Sequence, residues 1–250
     1  FVLHRFLLSS LALSPLLIFL RRKIPQDKET LAKLLLLGVI SAVCVASTNI
    51  GLVYEKSGVS AILTYTQPLF VFCFAVLFLK EKAGISRLLG VFIGFSGVVA
   101  LSIGKSNPVE GLSYSSFFLL VGAFLWAVTI VYYKRLLSYV DPVITNVFQL
   151  TASALLLAPL ASSLEGFSFP LTETYVLIAL YTSIFASGIA LTLWVYLLRE
   201  EDATVLSSSS FMVPIVALFF GWLLISENVE VESLLGIGLV MSGVYLVNKS

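Results

Sequence analysis

The sequence has little charge, little histidine and little cysteine. Only 12% of its 250 residues are charged, one is a histidine and two are cysteines. One histidine excludes a histidine-rich metal site. Cys44 and Cys73 lie within apolar runs, where small buried thiols are expected and a disulfide is not. The formal net charge of +1 gives no indication of binding to nucleic acid.

Several enzyme and nucleotide-binding motifs are also missing. The sequence contains no H-E-x-x-H, no G-x-S-x-G and no cysteine–histidine metal spacing. The tetrapeptide I-G-K-S at 103–106 resembles the end of a phosphate-binding loop, but Val99 stands where G-x-x-x-x-G-K-S needs its first glycine. We therefore expect no cofactor, no ATP-driven step and no enzymatic activity.

Apolar residues dominate the chain. They make up 59% of it, and the mean hydropathy is +1.04. The charged residues separate nine apolar runs, each close to the roughly 20 residues that cross the hydrocarbon core of a bilayer. The sequence predicts an all-α integral membrane protein with nine transmembrane helices, multi-pass in the cell membrane, over residues 1–20, 34–54, 58–79, 86–104, 114–133, 143–162, 174–197, 203–225 and 231–247.

The chain contains an internal repeat. Shifting it by about 146 residues places Pro68 on Pro214 and Glu81 on Glu227. Near the start the offset slips, and Pro15 then falls opposite Pro159. We interpret residues 1–107 as a first repeat of four helices and residues 108–250 as a second of five.

The run at 114–133 has no counterpart in the first repeat. We therefore expect a complete protein of ten helices, of which this sequence lacks the first. An odd number of helices in each repeat places the two repeats in opposite orientations in the membrane.

The distribution of lysine and arginine predicts the orientation. Basic residues accumulate in cytoplasmic loops of membrane proteins. One set of alternate loops holds only Lys56 and Lys105. The other set, which we assign to the cytoplasm together with the C-terminus, holds Arg21, Arg22, Lys23, Lys28, Lys33, Lys80, Lys82, Arg87, Lys134, Arg135, Arg199 and Lys249.

Two pairs of matching segments resemble a known family. TQPLFVFCFAVLFLKE (66–81) and SFMVPIVALFFGWLLISE (210–227) each contain a proline near the start and end in a glutamate. A glycine-containing helix follows each, RLLGVFIGFSGVVAL (87–101) and SLLGIGLVMSGVYLV (233–247). These segments resemble the EamA family of the drug/metabolite transporter superfamily. The resemblance implies a substrate cavity near the bilayer midplane, and export of amino acids or other metabolites.

Prolines in the middle of two apolar runs mark the candidate substrate site. A proline in a helix interior costs about 3 kcal/mol in water. Neighbouring helices, hydroxyl groups or a hydrated cavity can satisfy the carbonyl that it frees. Alternatively, the hydroxyls bond their own helix and the prolines are structural kinks. The predicted substrate-binding faces, at spacings of three and four, are Thr64, Gln67 and Pro68 on one helix and Ser207, Ser210 and Pro214 on the other.

Four further polar or aromatic residues are candidate substrate contacts. Asn49 and Gln149 carry amides that are unfavourable in lipid, so they face the protein interior, as ligands or as helix-packing contacts. Trp126 and Trp194 provide a wall suited to an amphipathic substrate, or else serve as packing and interface anchors.

Acidic residues are absent from the middle of every predicted span, so a proton relay of buried carboxylates has no carrier. Glu81 and Glu227 each precede a helix, whose N-terminal dipole a carboxylate favours. The glycines at 90, 94, 97, 236 and 243 permit close helix packing, within one chain or in a homodimer. We favour the monomer.

The sequence thus predicts a secondary transporter that works by alternating access of two inverted repeats. Its expected partners are a small amphipathic or zwitterionic metabolite and the lipid bilayer. An anionic substrate is disfavoured because Arg5 is the one cation placed more than two residues inside a predicted span. The alternative is a membrane-embedded enzyme or sensor that acts on lipid-like molecules.

Overall fold

The structure, a computed structural model, describes residues 1–19, 24–82, 84–103, 113–164, 172–225 and 231–249. Across these ranges it is helical and has no strand, which confirms the all-α class. The α-helices are α1 (Val2–Phe19), α2 (Lys28–Tyr54), α3 (Ser57–Thr64), α4 (Gln67–Phe74), α5 (Ile85–Ile103), α6 (Tyr114–Leu136), α7 (Pro142–Leu164), α8 (Glu173–Tyr181), α9 (Leu191–Glu200), α10 (Ala203–Ser208), α11 (Val213–Ile225) and α12 (Val231–Lys249).

Three of the apolar runs contain an interruption in the regular α-helix. A first π-helical segment, Ala75–Leu79, continues α4, and a second, Thr182–Ala190, joins α8 to α9. A 3₁₀ segment, Ser209–Met212, joins α10 to α11. Among the described residues, seven continuous helical stretches are long and apolar enough to cross a membrane, and α1 and α12 contain shorter apolar stretches. The structure is that of a multi-pass membrane protein.

Pro68 lies at a break between two helices rather than at a bend within one. Helix α3 ends at Thr64, and Pro68 is the second residue of α4, where the first turn needs no proline N–H. Between them, the Thr66 hydroxyl donates to the carbonyl of Leu63 (2.6 Å). The proline therefore starts a helix and imposes little cost.

Pro214 occupies the equivalent place in the second repeat, as the second residue of α11. The hydroxyls of Ser207, Ser208 and Ser209 each donate to the carbonyl three residues earlier, at 3.1, 2.8 and 2.6 Å. Such bonds compete with the regular helical pattern. They account for the change from α to 3₁₀ geometry just before the proline.

The chain forms two compact units. The first contains Phe1–Val43 and Tyr132–Glu200, and the second contains Cys44–Val131 and Glu201–Ser250. Each unit therefore takes helices from both halves of the sequence. Both cysteines belong to the second unit as free thiols; Cys44 is buried as expected, whereas Cys73 is exposed.

Helices α5 and α12 pack closely within the second unit. A Cβ atom added to Gly90 would lie 2.8 Å from the carbonyl oxygen of Gly243, and one added to Gly97 would lie 2.8 Å from that of Gly236. Glycine is the residue that allows backbones to approach this closely. These glycines serve packing within the chain, as the sequence favoured.

Candidate functional site

The two predicted binding faces meet at the helix breaks of the second unit. Gln67, the first residue of α4, donates its side-chain Nε2 to the hydroxyl oxygen of Ser210 in the 3₁₀ segment, at 3.3 Å. Both side chains are half-buried. The structure thus joins one polar residue from each half of the sequence, 143 positions apart.

Thr64, the last residue of α3, carries a buried hydroxyl. Its Oγ1 finds no hydrogen-bond partner among the described residues, and the same holds for Oγ of Ser60, one turn earlier. A buried hydroxyl without a partner loses about 1–3 kcal/mol relative to one that is satisfied. This face of α3 can therefore gain stability from a polar ligand or from water.

Ser207 and Pro68 lie deeper than the sequence suggested. Ser207 is 0% exposed, and its hydroxyl is already bonded to the carbonyl of Thr204. Pro68 is buried in the first turn of α4. Both residues are buried in helix packing, and neither lines the groove described next.

Pro214 lines a groove of the second unit. The groove has a volume of about 300 Å³ and lies between the start of α3, the end of α5 and α11. Tyr65, from the break after α3, also lines it. The groove therefore lies beside both helix breaks.

Two of the weaker candidates also belong to the second unit. Asn49 donates its amide to the carbonyl of Val45 in its own helix (2.8 Å). Trp126 has a buried indole Nε1 without a partner among the described residues. An indole N–H is a donor only, so Trp126 offers a hydrogen bond to an acceptor on a ligand.

The remaining two candidates belong to the first unit. Gln149 donates to the hydroxyl of Ser41 at 2.7 Å, which makes it a contact between α7 and α2. Trp194 on α9 has a buried Nε1 with no partner among the residues described.

Asn146 was missed by the sequence reasoning, although it is an amide inside a predicted span. It is 0% exposed, and its Nδ2 lies 3.0 Å from the carbonyl oxygen of Ser187, 3.2 Å from that of Gly188 and 2.8 Å from Thr192 Oγ1. From α1, Ser9 donates to the carbonyl of Ser183 (2.8 Å). These bonds satisfy carbonyl groups of the second π-helical segment.

Glu81 makes a contact that differs from the predicted one. Its carboxylate accepts the backbone N–H of Ala203 at 2.7 Å and the N–H and hydroxyl of Thr204 at 3.2 and 2.8 Å. It therefore caps α10, from the other repeat, and not the following helix α5. Glu227 lies outside the described residues.

A second carboxylate accepts several hydrogen bonds at the start of α6. Glu55 accepts hydrogen bonds from the hydroxyls of Ser113, Ser115 and Ser116 at 2.7, 3.0 and 2.5 Å. The bonds from Ser116 and Ser113 lower the pKa of Glu55 to about 2. The carboxylate is ionised at neutral pH and favours the N-terminus of α6.

The contacts around Gln67 and Thr64 join neutral groups. They offer hydrogen-bond donors and acceptors, while hydroxyl, amide and indole groups alone supply neither an activated nucleophile nor a general acid. Within the described residues, no group of three or more histidine, cysteine, aspartate or glutamate side chains could hold a metal ion. The site is suited to binding.

Comparison with known proteins agrees with this chemistry. The model of the EamA-like transporter family matches residues 1–103 and 113–249. A protein of Acidianus ambivalens described as an uncharacterized transporter is 29% identical, across 100% of this chain and 96% of that protein. The Bacillus subtilis uncharacterized transporter YoaV is 25% identical, across 97% of this chain and 84% of its own length.

Two further comparisons concern location and fold. The uncharacterized inner membrane transporter YedA of Escherichia coli K12 is 27% identical across 97% of this chain and 79% of its own. One solved crystal structure, 16% identical, has a TM-score of 0.82 and is matched over 99% of this chain and 87% of its own. That structure supports the helical fold alone. The family match, which covers nearly all of the sequence, shows that the chain is a membrane transporter of the EamA-like family and not an enzyme.

Proposed function

We propose that the protein exports or exchanges a small amphipathic metabolite, an amino acid or a similar compound, by alternating access of its two inverted repeats. The observation that carries this proposal is the hydrogen bond between Gln67 and Ser210, which joins the helix breaks of the two repeats. Interrupted helices near the midplane are where transporters with inverted repeats bind their substrates.

The neutral polar groups around Gln67 favour a small substrate with both hydrogen-bond donors and acceptors, such as an amino acid. Thr64 and Trp126 have buried polar atoms without partners in the described part of the chain, and a ligand with both donors and acceptors would satisfy them. A phosphorylated substrate would need buried cations. Of the two cations within predicted spans, Arg5 belongs to the first unit, and Arg87, near the start of α5, is paired with Asp202.

Uptake into liposomes tests the proposal. The purified protein is reconstituted and offered labelled amino acids, nucleobases and a sugar phosphate, with and without a proton gradient. We expect an amino acid or similar zwitterion to enter faster than into protein-free liposomes, and the sugar phosphate not to enter. Transport of the sugar phosphate alone would contradict the proposed substrate class.

We propose that the protein lies in the plasma or inner membrane of the cell. In the proposed orientation its C-terminus is in the cytoplasm. This orientation gives a prediction for two loops, 21–30 and 163–174, which lie partly outside the described residues. The first loop contains four basic residues, Arg21, Arg22, Lys23 and Lys28, whereas the second contains none. Because basic loops remain in the cytoplasm, an impermeant maleimide added outside intact cells should label a cysteine in 163–174 and not one in 21–30. Labelling of both loops from one side would contradict the inverted topology.

A further inference from the structure

Glu81 connects the two repeats at one end of the second unit. It follows the first π-helical segment, which ends where Lys80 adopts a left-handed conformation with φ of 58°. The Glu81 carboxylate then accepts three hydrogen bonds from Ala203 and Thr204, at the first two residues of α10. Bonds to a charged acceptor are roughly twice as strong as bonds between neutral groups.

An ion pair reinforces this contact. Nη2 of Arg87, near the start of α5, lies 2.8 Å from a carboxylate oxygen of Asp202, the residue just before α10. The Arg87 side chain is 9% exposed and that of Asp202 is 44% exposed. We call Glu81, Arg87, Asp202 and Thr204 the α10 interlock.

The helix pair is closed beside the interlock. Thr204, Ser207 and Ser208 are 1%, 0% and 0% exposed, and α10 packs on α4. At the breaks the packing is less close, because Thr64 on α3 and Ser210 in the 3₁₀ segment are half-buried and a groove lies beside Pro214 and Tyr65. The second unit is thus closely packed around α10, at the end that the charge pattern assigns to the cytoplasm.

The composition of the contact makes it reversible. It consists of hydrogen bonds and an ion pair at a helix end, which water can replace, whereas the α5–α12 contact consists of packed backbone. The breaks at Tyr65–Thr66 and at the 3₁₀ segment allow α4 and α10 to move separately from α3 and α11.

We propose that Glu81 is a positioning residue for transport and that the α10 interlock is the cytoplasmic gate of the site around Gln67 and Ser210. This inference rests on the proposed alternating-access function. When Glu81 releases the N-terminus of α10, the α4 and α10 ends separate and the site opens to the cytoplasm. Glu81 acts through α10 and does not contact the substrate.

A cysteine reporter can measure opening without any substrate. Cys44 and Cys73 are replaced by alanine and Ser208, buried one turn from the cap, by cysteine. The rate of maleimide labelling is then compared in lipid nanodiscs, where both faces are accessible. We expect Glu81→Gln to raise this rate about tenfold or more, because it removes the charge from three hydrogen bonds. Thr204→Val, which removes one bond and keeps the carboxylate, should raise it less.

Glu55→Gln is the matched control, since the Glu55 carboxylate also accepts three hydrogen bonds at a helix N-terminus, from serine hydroxyls at the start of α6. It should leave the labelling of the reporter unchanged. An unchanged rate in both Glu81→Gln and Thr204→Val would overturn the proposal, and so would an equal increase in Glu55→Gln. If Glu81→Gln fails to fold, the labelling rate of the Thr204→Val variant tests the proposal by itself.

Transport kinetics distinguish opening of the gate from a general loss of folded, active protein. In liposomes, Glu81→Gln should shift KM as well as kcat, because it changes the population of the open state. A lower kcat with the parent KM would indicate loss of active protein and contradict gating. If the reporter responds as expected while the parent transports no compound in the panel, the gate stands and the proposed substrate class fails.

Discussion

Replacement of Gln67 by leucine is expected to reduce transport at least about tenfold while leaving membrane abundance unchanged. The amide that reaches Ser210 is lost, and an apolar side chain replaces it beside the buried Thr64 hydroxyl. A binding site that loses a hydrogen-bonding partner and leaves another polar group unsatisfied loses about 1–3 kcal/mol. Leucine favours the membrane, so insertion should not suffer. Uptake at equal protein amounts measures the effect.

Cys73→Leu is the control for this prediction. Cys73 lies on the same helix, α4, but is exposed, and its exchange also introduces a leucine on that helix. It should transport like the parent protein. If Gln67→Leu also does so, the polar turn before Pro68 serves helix packing and the site assignment is wrong.

The second large effect concerns stability. Gly243→Ala is expected to lower the melting temperature of the purified protein by several degrees. Its Cβ would lie 2.6 Å from the carbonyl oxygen of Gly90 and still closer to the backbone nitrogen of Gly94, so α5 and α12 must separate. Overpacking of this kind costs about 1–3 kcal/mol, and each kcal/mol shifts the melting temperature by about 2–4 °C in a chain of this size.

Gly238→Ala is the matched substitution on the same helix. A Cβ atom there would have no neighbour within 4 Å. Alanine also has a higher helix propensity than glycine, so the melting temperature should stay the same or rise slightly. Equal melting temperatures for the two variants would show that the α5–α12 contact adjusts without cost.

The sequence by itself determined the helical class and the places where the helices break. Hydropathy fixes which runs can cross a bilayer, because lipid solvates every helix in the same way. Pro68 and Pro214 each mark a helix break for a local reason, since proline lacks an N–H. The internal repeat also placed Gln67 and Ser210 on two equivalent helix faces. Aligning the sequence with itself could not show that the two side chains form a hydrogen bond.

Only the tertiary structure decided the partner of each polar group. Glu81 precedes α5 in the sequence yet caps α10, and Ser207 shares a helix face with Ser210 yet is buried. The bonds from Asn146 to the second π-helical segment join positions 41 and 42 residues apart, and the spacing of residues within one helix does not reveal them. The physical reason is that a hydrogen bond depends on which helix ends meet in space, and hydropathy and spacing describe each helix by itself.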